Sequence, residues 1–503
     1  RMKFVTTPIY YVNDTPHIGH AVTTLAADVW ARYWRLRHNS VFMLTGTDEH
    51  GAKIAEAADK NGQEPLDFVT GISTQFRQTW NAINIAYDGF IRTTDPSHEA
   101  YVQRFLQRLY DAGHIYKGEY RGWYCVGCEE FKTESDIGPD NTCLIHLKPL
   151  VEVAEESYLF KLSQYQDKLL HLLETDELVI RPIERKNEVI SFIKQGLRDV
   201  AISRKSVPWG IPVPWDTTHT IYVWIDALLN YLSAAEADGL TFENGKRPEF
   251  PPTLQLIGKD ILRFHAIIWP AMLLAADKPL PRELFVHGYF TIAGQKMSKS
   301  LGNAIRPAEM IERYGVDGTR YLLLAIVPFG ADGDLSMERF DAVCTSELAN
   351  SIGNHVNRVQ SMLQRYRNGV VPVGEITVWG TVVSHYARAI EQELNYAHAL
   401  RIVIDYLGEW AAYIQKNEPW TLAKSEQAED QARLDKVLAT LAETVYALGV
   451  LLAPFMPDTS AKILSLFGTS VEQVDYGTLG TSNHTGGITI QPIEPLFPRL
   501  PEE

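Results

Sequence analysis

Two short stretches carry residue types suited to an oligophosphate. Gly294-Gln295-Lys296-Met297-Ser298-Lys299-Ser300-Leu301-Gly302 is polar, bracketed by glycines, and holds two lysines three positions apart after an apolar segment over 284–292. Lysine ammonium groups on long stems act as movable point charges, and flanking glycines permit loop movement. The combination suits a phosphate chain whose charge grows during reaction. Alone, a Lys-x-x-Lys pair is also what a solvated turn contains. The second stretch, Asp14-Thr15-Pro16-His17-Ile18-Gly19-His20, lies between a β-branched and aromatic run (3–12) and an amphipathic helical pattern over 21–37. Thr15 is expected at the helix N-cap and Pro16 at the first helical position. His17 and His20 then fall in the first turn, at the positive end of the helix dipole. Gly19 would let a flat ring approach the backbone. A strand running into such a helix start reads as a nucleotide-phosphate site, with capping and core histidines as the plainer alternative.

A third pattern concerns metal. Cys125-Val126-Gly127-Cys128 and Cys143-Leu144-Ile145-His146 are two Cys-x-x-Cys/His pairs across a short loop. That is the ligand spacing of a tetrahedral structural zinc knuckle. Three thiolates and an imidazole favour zinc, and a closed four-ligand shell leaves no position for catalytic water. Buried free cysteines are the alternative; Cys344, far away, is expected as a small core residue. Four cysteines, three of them clustered, suit a reducing compartment, so the chain is read as cytoplasmic.

The elements that must position these groups come next. A chain of 503 residues implies two to four domains, and 45% hydrophobic with 11% aromatic content is ordinary for a globular protein. The longest apolar runs, 267–276 and 321–329, are too short to span a bilayer. No signal peptide is read at the start, where Arg1 before Met2 looks like an added residue. Strands over 3–12 and 41–45 alternate with helices over 21–37 and from Ala52, Leu66 and Pro96, which predicts a parallel sheet with right-handed crossovers. Ligands of such sheets sit at carboxyl ends of strands, where the histidine stretch and Gly46-Thr47-Asp48-Glu49-His50-Gly51 both fall. Asp48 there suits a substrate ammonium, or simply caps the next helix. No Walker A or Gly-x-Gly-x-x-Gly sequence supports a P-loop or dinucleotide reading. Ile221–Ala227 reads as a buried strand entering a helix, 253–257 as the next strand, and Phe264, His265 and Trp269 as a helical stripe. From about 346 the periodicity becomes helical, over 348–366, 378–395, 399–417, 432–452 and 459–466, and predicts a bundle. The net charge of −15 leaves nucleic-acid binding to local basic faces. One is 354–367, with Arg358, Arg365 and Arg367 and no acid; another is the locally basic 181–205.

His17-Ile18-Gly19-His20 and Lys296-Met297-Ser298-Lys299-Ser300 together resemble the paired signatures of class I aminoacyl-tRNA synthetases, in order and separation. Position-by-position matches narrow the resemblance to methionyl-tRNA synthetases and extend it over nearly the whole chain. The resemblance implies a Rossmann-type α/β catalytic domain with an inserted zinc-knuckle connective domain, followed by an all-α anticodon-binding bundle. The expected domains are 1–112 and 216–283 (catalytic halves), 113–215 (insertion), 284–345 (lysine loop and stem-contact fold), 346–470 (bundle) and 471–503 (tail returning to the catalytic domain). It implies methionine activation by ATP, with Mg²⁺, to methionyl-adenylate, then transfer to tRNA(Met). His17, His20, Lys296 and Lys299 would be catalytic, with Gly19 and Ser298 also at ATP. Ile9, Tyr11, Asp48, Trp224, Tyr231, Asp260, Ile261, Phe264, His265 and Trp269 match the methionine pocket, Tyr11 and His265 as polar donors to sulfur. Asn350, Asn354, Arg358, Pro419 and Trp420 match anticodon-reading positions, although some members have arginine where Asn354 stands. Members often have Pro and Gly where Leu144 and Leu147 stand in the knuckle. The chain stops short of the oligonucleotide-binding domain through which some members dimerise, so a monomer is expected. Another class I synthetase (cysteinyl or leucyl) or a related nucleotidyltransferase is the alternative, the latter having no use for a long bundle.

Overall fold

A computed structural model describes residues 1–13, 15–205, 207–297 and 302–502. The chain divides into two compact units: 1–16, 41–78 and 86–286 in the first, 17–40, 79–85 and 287–503 in the second.

The first unit is built on a seven-stranded sheet in the order Tyr10–Tyr11, Val41–Asp48, Lys3–Thr6, Leu254–Gly258, Glu283–His287 and Val179–Arg181, with Gly89–Arg92 also on Val41–Asp48. Lys3–Thr6 runs parallel to both neighbours, Val5 lying opposite Met43 and Leu254. Val41–Asp48 is buried at every position, as a strand covered on both faces must be. The strand expected over 3–12 is broken at Pro8, which cannot donate to a ladder. Helix Pro96–Asp111 follows its chemistry closely: Asp95 caps Ser97 N, Pro96 takes the first turn, and Arg108 lies in the last. Two expectations shift. The strand read over 221–227 is Asp216–Ile221, and Trp224 and Asp226 lie on helix Val223–Leu228. β-branched and aromatic residues there favour a strand, but such propensities are weak and yield to tertiary packing. The stripe at 264–269 is not one α-helix: Phe264–Ile268 is a π-turn, followed by helix Trp269–Ala275. Between the sheet halves, Ile115–Cys125 pairs antiparallel with Glu130–Lys132 and with Val151–Phe160.

The second unit holds helix Ile18–Leu36, helix Pro307–Ala325 with a kink at Gly315 (φ 74°), and the hairpin Phe290–Ile292 with Gln295–Lys296. Its bundle comprises Asn354–Arg367, Thr381–Glu391, Tyr396–Asn417, Ala428–Leu452 and Pro457–Ser465, within a few residues of the five expected helices. A π-turn over Cys344–Gly353 leads into it and buries Cys344. The return expected of the tail begins on the bundle, with Val371 N donating to Ile488 O (2.9 Å) and Ile493 N to Gln360 Oε1 (3.0 Å).

One interaction organises this unit. Arg320 and Asp28 are both fully buried, and Arg320 Nη2 donates to Asp28 Oδ2 at 2.6 Å. The same guanidinium donates to Phe455 O, Pro454 O and Ile83 O, at 2.8, 3.1 and 3.0 Å. It therefore fastens the helix that opens with His17 to helix 307–325 and to the turn ending helix Ala428–Leu452. Arg32 Nε also donates to Asp28 Oδ2 (2.8 Å), so removing Arg320 leaves the Asp28 carboxylate with one of its two cations and takes a buried donor from three carbonyls. Arg320→Met should destabilise the protein by ~3–5 kcal/mol, read as a lower denaturant midpoint. Asp28→Asn in the same chain should recover part of that loss. A double variant as unstable as the sum of the singles would contradict the pairing.

Candidate active site and metal centre

In the second unit, the helix N-terminus is built differently from the sequence expectation. His17 is itself the N-cap of Ile18–Leu36, displacing Thr15 and Pro16 from the assigned positions. Its Nδ1 accepts from Gly19 N (3.0 Å), and His17 N donates to His20 Nδ1 (3.1 Å), a reciprocal capping box made of two imidazoles. With Nδ1 of each ring accepting, the proton of each neutral ring sits on Nε2. The rings are 4.0 Å apart. Burial, then the neighbouring His17 and Arg306, hold the His20 pKa well below its ordinary value. Gly19 serves the His17 ring: a Cβ there would lie 2.7 Å from His17 Cε1. Ile18 N donates to Ile305 O (3.0 Å), tying this turn to the chain just beyond the lysine loop. Lys296 is exposed on the hairpin, its Nζ 5.6 Å from the Tyr289 ring centre, and Asn303 Nδ2 donates to Lys296 O (3.1 Å). The expectations on Ser298 and Lys299 lie outside the described residues.

In the first unit, Tyr11 and Asp48 are register partners on adjacent parallel strands. Asp48 is buried, and its Oδ1 has no hydrogen-bond partner among the described residues. Burial, Asp226 and Glu129 raise its pKa well above the carboxylate range. The neighbouring acids are compensated. Asp226 accepts from His50 (2.6 Å) and His98 (2.7 Å), and Glu49 meets Arg92 Nε and Nη2. Two aromatic groups stand in the same unit. Trp224 stacks on Phe264 with centroids 4.4 Å apart, while Tyr231 contacts His265 and Trp269, each at 5.6 Å. Trp269 is fully buried and donates to Gln255 Oε1 (3.0 Å), which makes it a support behind Tyr231. Ile9 is half-buried, Ile261 buried, and Asp260 exposed on its turn.

The hydrogen bonds correct one expected role. His265 Nδ1 meets Ile261 O (2.9 Å), a carbonyl that can only accept, so Nε2 accepts from the Tyr231 hydroxyl at 2.7 Å. Tyr11 donates its hydroxyl to Glu129 Oε1 (2.7 Å). Neither side chain therefore has a proton to offer to a thioether, and sulfur would meet ring faces and edges instead. Glu129, Asp226, His50 and Gln255 were missed as site residues. The signals available were the position of Glu129 beside a cysteine ligand and of His50 and Asp226 beside Asp48 and Trp224.

Cys125, Cys128, Cys143 and His146 bring one ligand atom each to within 4.8 Å of one another. Cys128 Sγ lies 3.7 Å from Cys143 Sγ and 3.1 Å from His146 Nδ1. Cys128 N and His146 N donate to Cys125 Sγ (3.3 Å) and Cys143 Sγ (3.4 Å), as suits thiolates. The donor set fits a thiophilic divalent cation. Leu147 adopts φ 56°, a conformation that favours glycine, and Leu147 N donates to Cys143 O (2.8 Å). In a second cluster, Glu156, Asp216 and His219, Glu156 pairs with Lys117 (3.2 Å) and Asp216 accepts from the Tyr158 hydroxyl (2.9 Å).

Two basic faces shrink. Arg367 pairs with Asp435 (2.7 Å), leaving Arg358 and Arg365 on that helix. In 181–205, Arg185, Lys186 and Arg204 pair with Glu188, Asp176 and Glu155. Asn350, on the π-turn, and Asn354, at the start of the helix that follows, are both exposed; Pro419 is buried and Trp420 half-buried.

Burial lowers the His265 pKa from 6.5 to about 4. The unfolded ring binds protons more readily, so this group's contribution to stability is complete above pH 6.5 and declines as pH falls toward 4. Histidine-selective ¹H–¹⁵N NMR should show the ring neutral and Nδ1-protonated at pH 6. A His265 midpoint near 6.5 would contradict the tautomer assignment.

A family model described as tRNA synthetases class I (M) matches residues 3–360. A methionine–tRNA ligase of Streptomyces coelicolor is 43% identical, covering 99% of this chain and 97% of that one. The chloroplastic/mitochondrial methionine–tRNA ligase of Arabidopsis thaliana is 42% identical over 99% of this chain and 82% of its own length. A structure of Mycobacterium tuberculosis methionyl-tRNA synthetase in complex with methionyl-adenylate superposes with a TM-score of 0.90 at 38% identity, covering 99% of this chain and 100% of that one. The apo form of that enzyme gives 0.82 at 36% identity, covering 100% of this chain and 99% of that one. On motifs, fold and these matches alike, the chain belongs to the class I tRNA synthetases of the methionyl family.

Proposed function

We propose that this protein is a methionine–tRNA ligase. A methionine carboxylate oxygen attacks the α-phosphorus of ATP, the α–β phosphoanhydride breaks, and pyrophosphate leaves. The terminal ribose hydroxyl of tRNA(Met) then attacks the methionyl carbonyl carbon, expelling AMP. The observation that carries the reading is Asp48 Oδ1, a buried carboxylate oxygen without a hydrogen-bond partner among the described residues, which a substrate ammonium would satisfy. Ile9, Tyr11, Trp224, Tyr231, Ile261, Phe264 and His265 would enclose the methionine, Trp269 backing Tyr231 and Asp260 closing the exposed side. Aromatic faces suit a flexible thioether. His17 and His20, each with Nε2–H, would donate to ATP phosphates, with Gly19 keeping the His17 ring in place. Lys296, Ser298 and Lys299 would hold pyrophosphate as charge develops on it, an effect realised mainly in the transition state. Mg²⁺ would accompany ATP. Chemistry here is positioning plus charge stabilisation, and needs no covalent enzyme intermediate.

The cysteine–histidine centre is assigned to one structural zinc, which cross-links the loop when bound. The bundle is assigned to anticodon reading, through exposed Asn350 and Asn354, Arg358, and Trp420 at the Pro419 turn as a stacking surface. The domain organisation proposed is a divided catalytic domain (1–112, 216–283), a connective insertion (113–215), a stem-contact segment (284–345), the bundle (346–470) and the tail (471–503). Among the described residues no helix is long and apolar enough to cross a membrane. Free thiols suit a reducing cytoplasm.

ATP–pyrophosphate exchange tested across the twenty amino acids should respond to methionine alone; a response to cysteine or leucine, or none, would contradict the assignment. Trp420→Ala should depress tRNA aminoacylation by at least ~10-fold while leaving tRNA-free exchange intact. A parallel fall in both would make Trp420 a packing residue.

A further inference from the structure

Three consecutive carbonyls at the end of the first metal-ligand pair, those of Gly127, the ligand Cys128 and Glu129, accept hydrogen bonds from side chains of the first unit. Gly127 O accepts from Lys53 Nζ (3.3 Å), Cys128 O from Trp224 Nε1 (3.4 Å), and Glu129 O from the Tyr222 hydroxyl (2.5 Å). The Glu129 side chain goes further: its Oε1 accepts from the Tyr11 hydroxyl (2.7 Å) and from Lys53 N (3.4 Å). Glu129 is 7% exposed and has φ 53°, a left-handed conformation that a non-glycine residue keeps only when its surroundings dictate it. What dictates it on the upstream side is the metal-ligand turn, where Cys128 N donates to Cys125 Sγ. On the downstream side the fit is close, since a Cβ on Gly51 would lie 2.9 Å from both Glu129 Oε1 and the Tyr11 hydroxyl oxygen.

We propose that Glu129 is a positioning residue for methionine capture, through which occupancy of the cysteine–histidine centre sets the affinity of the amino-acid pocket. The inference rests on the functional reading above. By accepting the only proton of the Tyr11 hydroxyl, Glu129 turns the phenol oxygen into an acceptor beside Asp48. An acceptor there suits the N–H groups of a substrate ammonium. Glu129 also adds a second negative charge acting on Asp48, favouring a cationic ligand over a neutral one. The carboxylate can do this only while residues 127–129 keep their turn. A metal at Cys125, Cys128, Cys143 and His146 would fix that turn from one side. Zinc and methionine should then bind with positive coupling, although no zinc ligand touches the amino acid.

The test uses the full chain as wild type, as Glu129→Gln and as Tyr11→Phe, each with zinc bound and after chelator treatment. Zinc content comes from elemental analysis, methionine affinity from tryptophan fluorescence, and KM values for methionine and ATP from pyrophosphate exchange. Glu129→Gln should keep its zinc, raise the methionine KM and dissociation constant by at least ~10-fold, and leave the ATP KM within about twofold. Tyr11→Phe, distant from the ligands, should do the same. Stripping zinc should weaken methionine binding to wild type by a comparable factor, yet add little to either variant. The proposal is overturned by zinc-loaded variants with wild-type methionine affinity. It is equally overturned by stripped wild type binding methionine normally, or by zinc and side-chain losses that simply multiply. If Glu129→Gln loses zinc, Tyr11→Phe decides alone. Wild type with no methionine response would instead overturn the functional reading itself.

Discussion

A carboxylate buried without a hydrogen-bond partner is costly, and the first unit is arranged around one. Ionised groups withdrawn from water must be paired or shift toward neutrality. Asp48, Glu49, Asp226 and Glu129 are all buried in this unit. Glu49 is held bidentately by Arg92, Asp226 lies between His50 and His98, and Glu129 takes the Tyr11 hydroxyl. Among the described residues Asp48 Oδ1 is the one fully buried oxygen of these four acids without a hydrogen-bond partner. Its neighbours increase the cost, since Asp226 and Glu129 both push its pKa up. The Asp226 pair in turn raises the His50 pKa to about 10, so His50 is cationic at neutral pH. That contribution to stability is present below pH 6.5 and is lost as pH rises toward 10. Glu49 and Asp226 thus have cationic partners, whereas Asp48 is left as an acidic site that a cation would complete.

The second unit solves a different problem, holding a helix start rigid enough to present two imidazoles. Its N-cap is made from the histidines themselves, and the far half of the same helix is pinned by Asp28 to Arg320. Arg320 also satisfies carbonyls at 83, 454 and 455, so the guanidinium has partners in three segments. Buried pairs of this kind contribute less to net stability than to fixing one arrangement, which is what the proposed oligophosphate site would require.

Much of this was legible in the sequence because it depends on local pattern. The parallel sheet follows from alternation of strands and helices, the bundle from a sustained helical period, and the metal centre from two Cys-x-x-Cys/His pairs. Side-chain commitments were not legible, because they are set by partners far along the chain. Tyr11 finds Glu129 118 residues away, which removes its proton from the role expected at sulfur. Arg367 looks like part of a basic face until Asp435, 68 residues on, neutralises it. The π-turn at Phe264–Ile268 is not distinguishable from α-helix in the sequence, since both periods place Phe264, His265 and Trp269 close together. His17 was placed inside the helix because an imidazole N-cap lies outside the usual Ser, Thr, Asp and Asn preference.

The central claim is that the unmatched oxygen of Asp48 is completed by a substrate ammonium. It is tested most directly by comparing, by calorimetry at pH 7.5, methionine with 4-(methylthio)butanoate, which keeps the thioether and carboxylate but lacks the amino group. Wild type should bind methionine at least ~30-fold more tightly than the analogue, and Asp48→Asn should bring the two affinities close together. Equal affinities in wild type, or undiminished discrimination by Asp48→Asn, would contradict it.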